Sequence, residues 1–187
     1  SVPVYEKSSI DEFYIDLSGM DRFFGCYKLA TELRQRITRE TGLPISFALS
    51  TNKTVAKIGT GEAKPNGQLQ VPAGTEKTFL APLAVTKIPM VGDKTYQSLR
   101  SLGIETIRSL QEMDAEAVVR ALGEHGLTLW NKANGICHAP VEQYSERKSI
   151  STECTFEHDT TDTDHLKRVM LSMTEKLTFQ LREEEKL

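Results

Sequence analysis

Ser9-Ile10-Asp11-Glu12-Phe13-Tyr14-Ile15-Asp16-Leu17-Ser18-Gly19 sets two adjacent acids directly before an alternating apolar run. Phe13, Ile15 and Leu17 alternate with Tyr14, Asp16 and Ser18, the period of a half-buried strand, and Gly19 ends it. Val4 and Tyr5 predict a strand before it. The adjacent acids Asp11 and Glu12 then fall in the connection between the two. Neighbours in a regular strand point to opposite faces, so a tight turn is what lets both carboxylates reach one ion. Such a pair suits a hard divalent cation such as Mg2+, which takes oxygen ligands and is usually shared with substrate phosphates. Two acids in a turn are equally what a solvated loop contains, and residue types alone leave both readings open.

Working outward, 187 residues with 39% hydrophobic content allow one or two domains with a core. The net charge of −3 gives no global footprint for nucleic acid, so any DNA contact must be local. Cys26, Cys137 and Cys154 are odd in number and far apart, which fits a reducing compartment better than a disulfide framework. With no membrane-length apolar run and no signal peptide, the expected location is cytoplasmic, without membrane partners. The chain opens without methionine at a strand and closes on a helix without a stop signal, which reads as a fragment of a longer protein.

After the acidic turn, Phe23, Tyr27, Ala30, Leu33 and Ile37 predict a helix with one buried face, capped by Gly42 and barred from continuing by Pro44. Lys28, Glu32, Arg36 and Glu40 form its solvated side. Ile45, Phe47 and Leu49 alternate as a third strand, and Ser50 or Thr51 is expected to cap a short helix running through Ile58. These elements predict an α+β layer, one sheet with helices on one face. Pro65-Asn66-Gly67 is a turn by its own chemistry and fixes where Lys64 points. A lysine ammonium suits a polyphosphate, though a lysine before a turn is also an ordinary surface residue. Gly59-Thr60-Gly61 lacks the rest of a phosphate loop, so a nucleoside-triphosphatase reading is rejected.

The stretch 88–104 reads as two short helices around a tight hairpin, with Leu99 and Leu102 inward, Gly103 as cap and Ile104 packing back. Thr106 and Asp114 are expected to cap further short helices, and Trp130, beside Leu127 and Leu129, reads as core. Cys137-His138 lacks a second pair at ligand spacing, which rules out a zinc site. Residues 138–146 read as a linker. Ile150, Cys154 and Phe156 then predict a strand with Arg147 and Lys148 at its entry, and Asp162 or Asp164 is expected to cap a helix striped by Leu166, Val169, Met170, Met173, Leu177 and Leu181.

Four stretches in one order, the Ser9–Gly19 run, Asn52 through the Lys64-Pro65-Asn66-Gly67 turn, Lys87 to Ile104, and Arg147 to Phe156, resemble the Y-family translesion DNA polymerases, most closely the DNA polymerase IV branch. The resemblance implies an α+β chain holding part of a palm over residues 1–72, with an antiparallel sheet and helices on one face. It further implies an all-helical thumb with a helix-hairpin-helix over 73–137, a linker over 138–146, and the start of an α+β little finger over 147–187. It gives Asp11 and Glu12 the role of catalytic metal ligands for two Mg2+ ions, with a third carboxylate from an earlier palm strand outside this chain. Lys64 is implied to contact the triphosphate of an incoming deoxynucleotide. Val91, Gly92 and Lys94 in the hairpin, and Arg147, Lys148 and Ser149 at the little-finger entry, are implied to contact primer-template DNA. A sliding clamp is an implied partner through a tail beyond Leu187. Two departures stand out: Met90 replaces the usual glycine, the residue that takes positive φ without strain, and Tyr96 replaces a small residue. The implied activity is DNA-directed nucleotidyl transfer to a primer 3′-hydroxyl in damage bypass, with this chain inactive alone. The alternatives are a non-catalytic helix-hairpin-helix DNA-binding module and a polymerase-like scaffold.

Overall fold

A computed structural model describes residues 3–20, 25–143 and 149–183. Two compact units, Ser1–Gln143 and Tyr144–Leu187, divide the chain. Small sheets and eight α-helices among the described residues make it α+β.

The first unit opens on an antiparallel hairpin of β1 (Val4–Lys7) and β2 (Phe13–Asp16), in register from Val4 opposite Asp16 to Lys7 opposite Phe13. The expected burial of the alternating face is reversed. Tyr5, Phe13 and Ile15 are exposed on one side, while Glu6 and Tyr14, a cross-strand pair, face the body of the unit. The reason is the partner: the element beneath the hairpin offers lysines there, so a carboxylate and a phenol ring are the side chains that gain from facing it.

Helix α1 (Cys26–Thr41) ends where Gly42 turns left-handed at φ 72° and donates its N–H to Thr38 O at 2.9 Å. Phe23, expected on its apolar stripe, lies outside the described residues. None of its residues is fully buried, and Leu33 is exposed. Its contact with the strand that follows includes Tyr27 against Phe47 at 5.8 Å between ring centres.

Strand β3 (Phe47–Leu49) does not join the hairpin's sheet. It pairs in parallel with β4 (Gln68–Gln70), through helix α2 (Lys53–Glu62), so two two-stranded sheets replace the single antiparallel sheet of the sequence reading. A helical crossover brings the chain back running in the same direction, which makes the pairing parallel. The cap of α2 is Asn52, whose Oδ1 accepts from Val55 N at 3.1 Å, and not Ser50 or Thr51. Its side chain also donates to Gly135 O at 2.9 Å, a tie available to a carboxamide and not to a hydroxyl of shorter reach.

Short helices follow: α3 (Glu76–Leu80), a 3-10 turn at Val85–Lys87, α4 (Asp93–Ser101), α5 (Ile107–Gln111), α6 (Ala115–Leu122) and α7 (Glu124–Ala133). Thr106 and Asp114 cap α5 and α6 as expected, accepting from Ser109 N and Ala117 N. One buried cluster runs from Val55, Ile58 and Val71 through Leu80, Val85, Ile88, Leu99 and Ile104 to Ile107, Leu110, Val118 and Leu129. Burial of such side chains stabilises by roughly 1.5–3 kcal/mol each. Trp130 packs against this core and donates its indole N–H to Met113 O at 2.9 Å. Leu102, expected inward, is exposed instead, following the end of α4, whose inner position is taken by Leu99; Leu127, beside Trp130 in the sequence, is exposed too, while Leu129 is buried.

In the second unit, 149–156 forms no strand, because a strand's backbone groups need a neighbouring strand and the described residues of this unit supply none. Helix α8 (Thr163–Glu183) starts at Asp162, whose Oδ1 accepts from Asp164 N and His165 N at 3.0 Å each. Leu166, Val169, Met173, Leu177 and Leu181 are half-buried, and Met170 is exposed. No described helix is long and apolar enough to cross a membrane.

Candidate functional site

The turn over residues 8–12 closes on one acceptor. Ser8 N and Ser9 N both donate to Glu12 O, at 2.9 and 3.3 Å, which folds the chain back and releases the side chains of Asp11 and Glu12 from strand alternation. Ser9 Oγ donates to Asp11 Oδ1 at 2.8 Å. That bond, first, and the positive fields of Lys64 and Lys57 hold the Asp11 carboxyl below its ordinary range. Asp11 is therefore ionised at neutral pH and purely an acceptor.

Helix α2 supplies the opposite charge. Its packed face is fixed by Val55 and Ile58 in the core, and its other face carries Lys53 and Lys57, one turn apart. Lys53 Nζ bonds Glu6 Oε2 at 2.8 Å and sits 5.5 Å over the Tyr14 ring. Lys57 Nζ pairs with Glu12 Oε2, and that bond raises the lysine's pKa, with Asp11 adding to the same field. Lys57 thus acts on both acids of the turn. The sequence signal for it was the Lys53–Lys57 spacing, which places both on one helical face, but only a fold tells which face meets the hairpin.

Lys64 follows α2 at the start of the turn to β4. Asn66 takes φ 49°, and Gly67 donates to Ser46 Oγ at 3.1 Å. A side chain at residue 67 would meet Ala63 O at 2.1 Å, so only glycine fits. Lys64 itself is exposed and close enough to Asp11 to lower its pKa.

Val91, Gly92 and Lys94 form a separate group at the start of α4. Val91 N closes the turn on Ile88 O at 3.1 Å, Gly92 is the N-cap residue, and no side chain caps the helix. Its first N–H groups point outward, the arrangement that favours an anion. Met90 adopts φ 89°, so the backbone keeps the glycine conformation without the glycine. An open groove of about 470 Å³ beside it is lined by Met90, Lys94, Ser98, His125 and Lys132 among others. Lys132, unmarked in the sequence reading, lies 3.3 Å from Pro89 O, and burial pushes its pKa down. Ser149 is exposed in the second unit, while Arg147 and Lys148 lie outside the described residues.

The donor set of the acidic turn is all oxygen and ionised, which fits a hard cation such as Mg2+. Among the described residues no third His, Cys, Asp or Glu joins the pair in a metal-holding group. Asp11 and Glu12 therefore fit as part of a coordination shell completed by other ligands, and not as a cage.

Comparison with known proteins matches residues 1–61 to the impB/mucB/samB family and residues 147–187 to the impB/mucB/samB family C-terminal domain. DNA polymerase IV of Dehalococcoides mccartyi is 42% identical over 181 residues, covering 96% of this chain and 46% of the relative. DNA polymerase IV of Desulfatibacillum aliphaticivorans is 33% identical over 184 residues, 98% of this chain and 46% of the relative. The chain thus spans about half the length of the curated relatives it matches. Among solved structures, DinB from Sulfolobus solfataricus superposes with a TM-score of 0.67 at 26% identity, over 76% of this chain and 42% of that one. An insertion ternary complex of Dbh DNA polymerase does so with a TM-score of 0.67 at 27% identity, over 75% and 42%. The acidic turn, the lysine turn after α2 and these matches fall in one order along one chain, which belongs to the impB/mucB/samB family and is similar to DNA polymerases IV over nearly its whole length.

Proposed function

We propose that this chain contributes the catalytic acids, the triphosphate lysine and part of the DNA grip of a translesion DNA polymerase. In this reading residues 1–72 belong to the palm, 73–137 to the thumb with its helix-hairpin-helix, 138–146 to a linker, and 147–187 to the little finger. The observation that carries it is the acidic turn facing α2: Lys57 engages Glu12, and Lys64, just past the same helix, reaches Asp11 electrostatically. One element thereby brings together the groups that a polyphosphate and its counter-ions require.

The reaction joins the primer 3′-oxygen to the α-phosphorus of the incoming deoxynucleotide as pyrophosphate leaves. Asp11 and Glu12 would hold Mg2+, which when bound lowers the pKa of the attacking hydroxyl and stabilises charge on the phosphate. Lys57 holds the Glu12 carboxylate in place from a helix fixed by the core. Lys64 neutralises triphosphate charge as a point cation. Val91, Gly92 and the uncapped start of α4, with Lys94 beside them, present N–H groups and charge to a DNA phosphate, which positions the duplex without reading sequence. Arg147, Lys148 and Ser149 serve the same end at the little-finger entry.

The test is primer extension with Mg2+ by a chain of the relatives' full length carrying this segment, wild type beside Asp11→Ala and Glu12→Ala. Both substitutions are expected to abolish synthesis and leave primer-template binding intact. Wild-type protein that binds primer-template and extends nothing would support a DNA-binding module instead, and one that neither binds nor extends would support a scaffold.

A further inference from the structure

We infer that Arg34 is a positioning residue for the nucleotide: it fixes the turn that aims Lys64, and so sets nucleotide affinity without touching the nucleotide. The inference rests on the triphosphate role given to Lys64 above. Arg34 lies mid-way along α1 and spreads its guanidinium over three acceptors in two different segments. Its Nε donates to Ile45 O at 2.9 Å, and one Nη donates to Asn66 O at 2.5 Å and Asn66 Oδ1 at 2.6 Å. Asn66 sits two residues beyond Lys64 and is the positive-φ residue of the turn.

The other side of that turn is held by the approach to β3. Gly67 donates to Ser46 Oγ and accepts from Phe47 N at 3.2 Å. The turn's own link back to α2, Lys64 N to Gly61 O at 3.4 Å, is long. Remove Arg34 and the turn keeps the Gly67 bonds on the β3 side and, on the α2 side, Ala63 N to Gly59 O at 2.9 Å and the long Lys64 N bond, but Asn66 loses its side-chain and carbonyl anchor, which loosens the direction in which Lys64 points. A planar fork serves several carbonyl acceptors at once, which a lysine's point charge on a flexible stem does not. Among the described residues Arg34 has no carboxylate partner, and its hydrogen bonds go to the oxygens of Ile45 and Asn66.

The measurement is the KM for deoxynucleotide and kcat at saturating primer-template, in a chain of the relatives' full length carrying this segment. Arg34→Met, which keeps the aliphatic stem, is expected to raise the nucleotide KM by about tenfold, below the roughly hundredfold that a 1 Å misplacement can cost, because Lys64 is loosened and not displaced. DNA affinity and melting temperature should stay near wild type. In a Lys64→Ala background the same substitution should change KM by less than about twofold, because two residues acting through one contact are not additive. If Lys64→Ala raises KM and Arg34→Met does not, or if the two effects multiply, the positioning role is overturned. If Lys64→Ala alone leaves KM unchanged, it is the role of Lys64 that fails. Should Arg34→Met not fold, Asn66→Gly keeps the turn's backbone and deletes the Oδ1 acceptor, while Arg34→Lys keeps the charge and loses the fork. Both are expected to raise KM in the same direction by a smaller factor, and an unchanged KM in both would overturn the role.

Discussion

Met90 combines an exposed apolar side chain with a backbone at φ 89°, a region that costs a residue with a Cβ about 1–2 kcal/mol. What holds it there is on either side. Ile88 is locked into the core, Val91 N closes the turn on Ile88 O, and Lys132 caps the Pro89 carbonyl from α7. Met90→Gly should therefore raise the unfolding free energy, by about 0.5–1 kcal/mol once the larger freedom of glycine in the unfolded chain is deducted. Urea denaturation measures this, and an unchanged or lower midpoint would show that the contact of Lys132 Nζ with Met90 Sδ, 2.9 Å apart, outweighs the strain. The sequence marked Met90 as the odd residue in its hairpin, but whether the turn or the residue would yield depended on packing of Ile88 and Leu99, which lie on either side of it. The same limit applies to Lys57: its residue type and spacing were plain, whereas its pairing with Glu12 depends on how the hairpin lies on α2.

At the scale of elements, the position of α2 decides the site, because Lys53, Lys57 and Lys64 all inherit it. Gly59 lets the helix lie against β3: a Cβ there would stand 2.8 Å from Ala48 Cβ and 3.4 Å from the Leu69 side chain. Gly59→Ala should push α2 off the strand and cost about 1–3 kcal/mol, the usual penalty for overpacking, despite alanine's better helix propensity. Chemical denaturation checks it; a neutral or stabilising result would mean that strand and helix slide apart freely and that α2 is not rigidly placed. Elements with local causes were readable in advance. The hairpin followed from alternation and its acidic turn, α1 stopped at Gly42, and α5, α6 and α8 began at Thr106, Asp114 and Asp162. Those with non-local causes were not: β4 has a single apolar residue in Gln68-Leu69-Gln70 and exists because α2 returns the chain beside β3. The cap of α2 was misplaced because Ser50, Thr51 and Asn52 are all capping types, and only the reach of Asn52 to Gly135 separates them.

For the whole molecule, charge and ligand count set what it can do by itself. Its net charge is −3, and two of the cations around the acidic hairpin are already engaged, Lys53 with Glu6 and Lys57 with Glu12, which leaves Lys64 as the cation that acts on Asp11 without an ion pair of its own among the described residues. Few phosphates can then be neutralised at once, so affinity for primer-template should be weak and its salt dependence shallow, since the slope scales with the number of phosphate contacts. Lys94→Ala should lower that slope by about one if its ammonium meets a phosphate. Catalysis is limited more severely. Two-metal transfer requires both ions to be clamped across the attacking and leaving oxygens, and the described residues gather two carboxylates and no third ligand with them. The 187-residue chain with primer-template, Mg2+ and deoxynucleotides is accordingly expected to extend no primer, while under the proposed function a chain of the relatives' full length carrying this segment is expected to extend it. The comparison is informative because folding can be scored separately: if the isolated chain shows cooperative unfolding and still extends nothing, missing ligands explain the inactivity. Extension by the isolated chain, abolished by Asp11→Ala, would instead mean that Asp11 and Glu12 suffice with ligands from substrate alone.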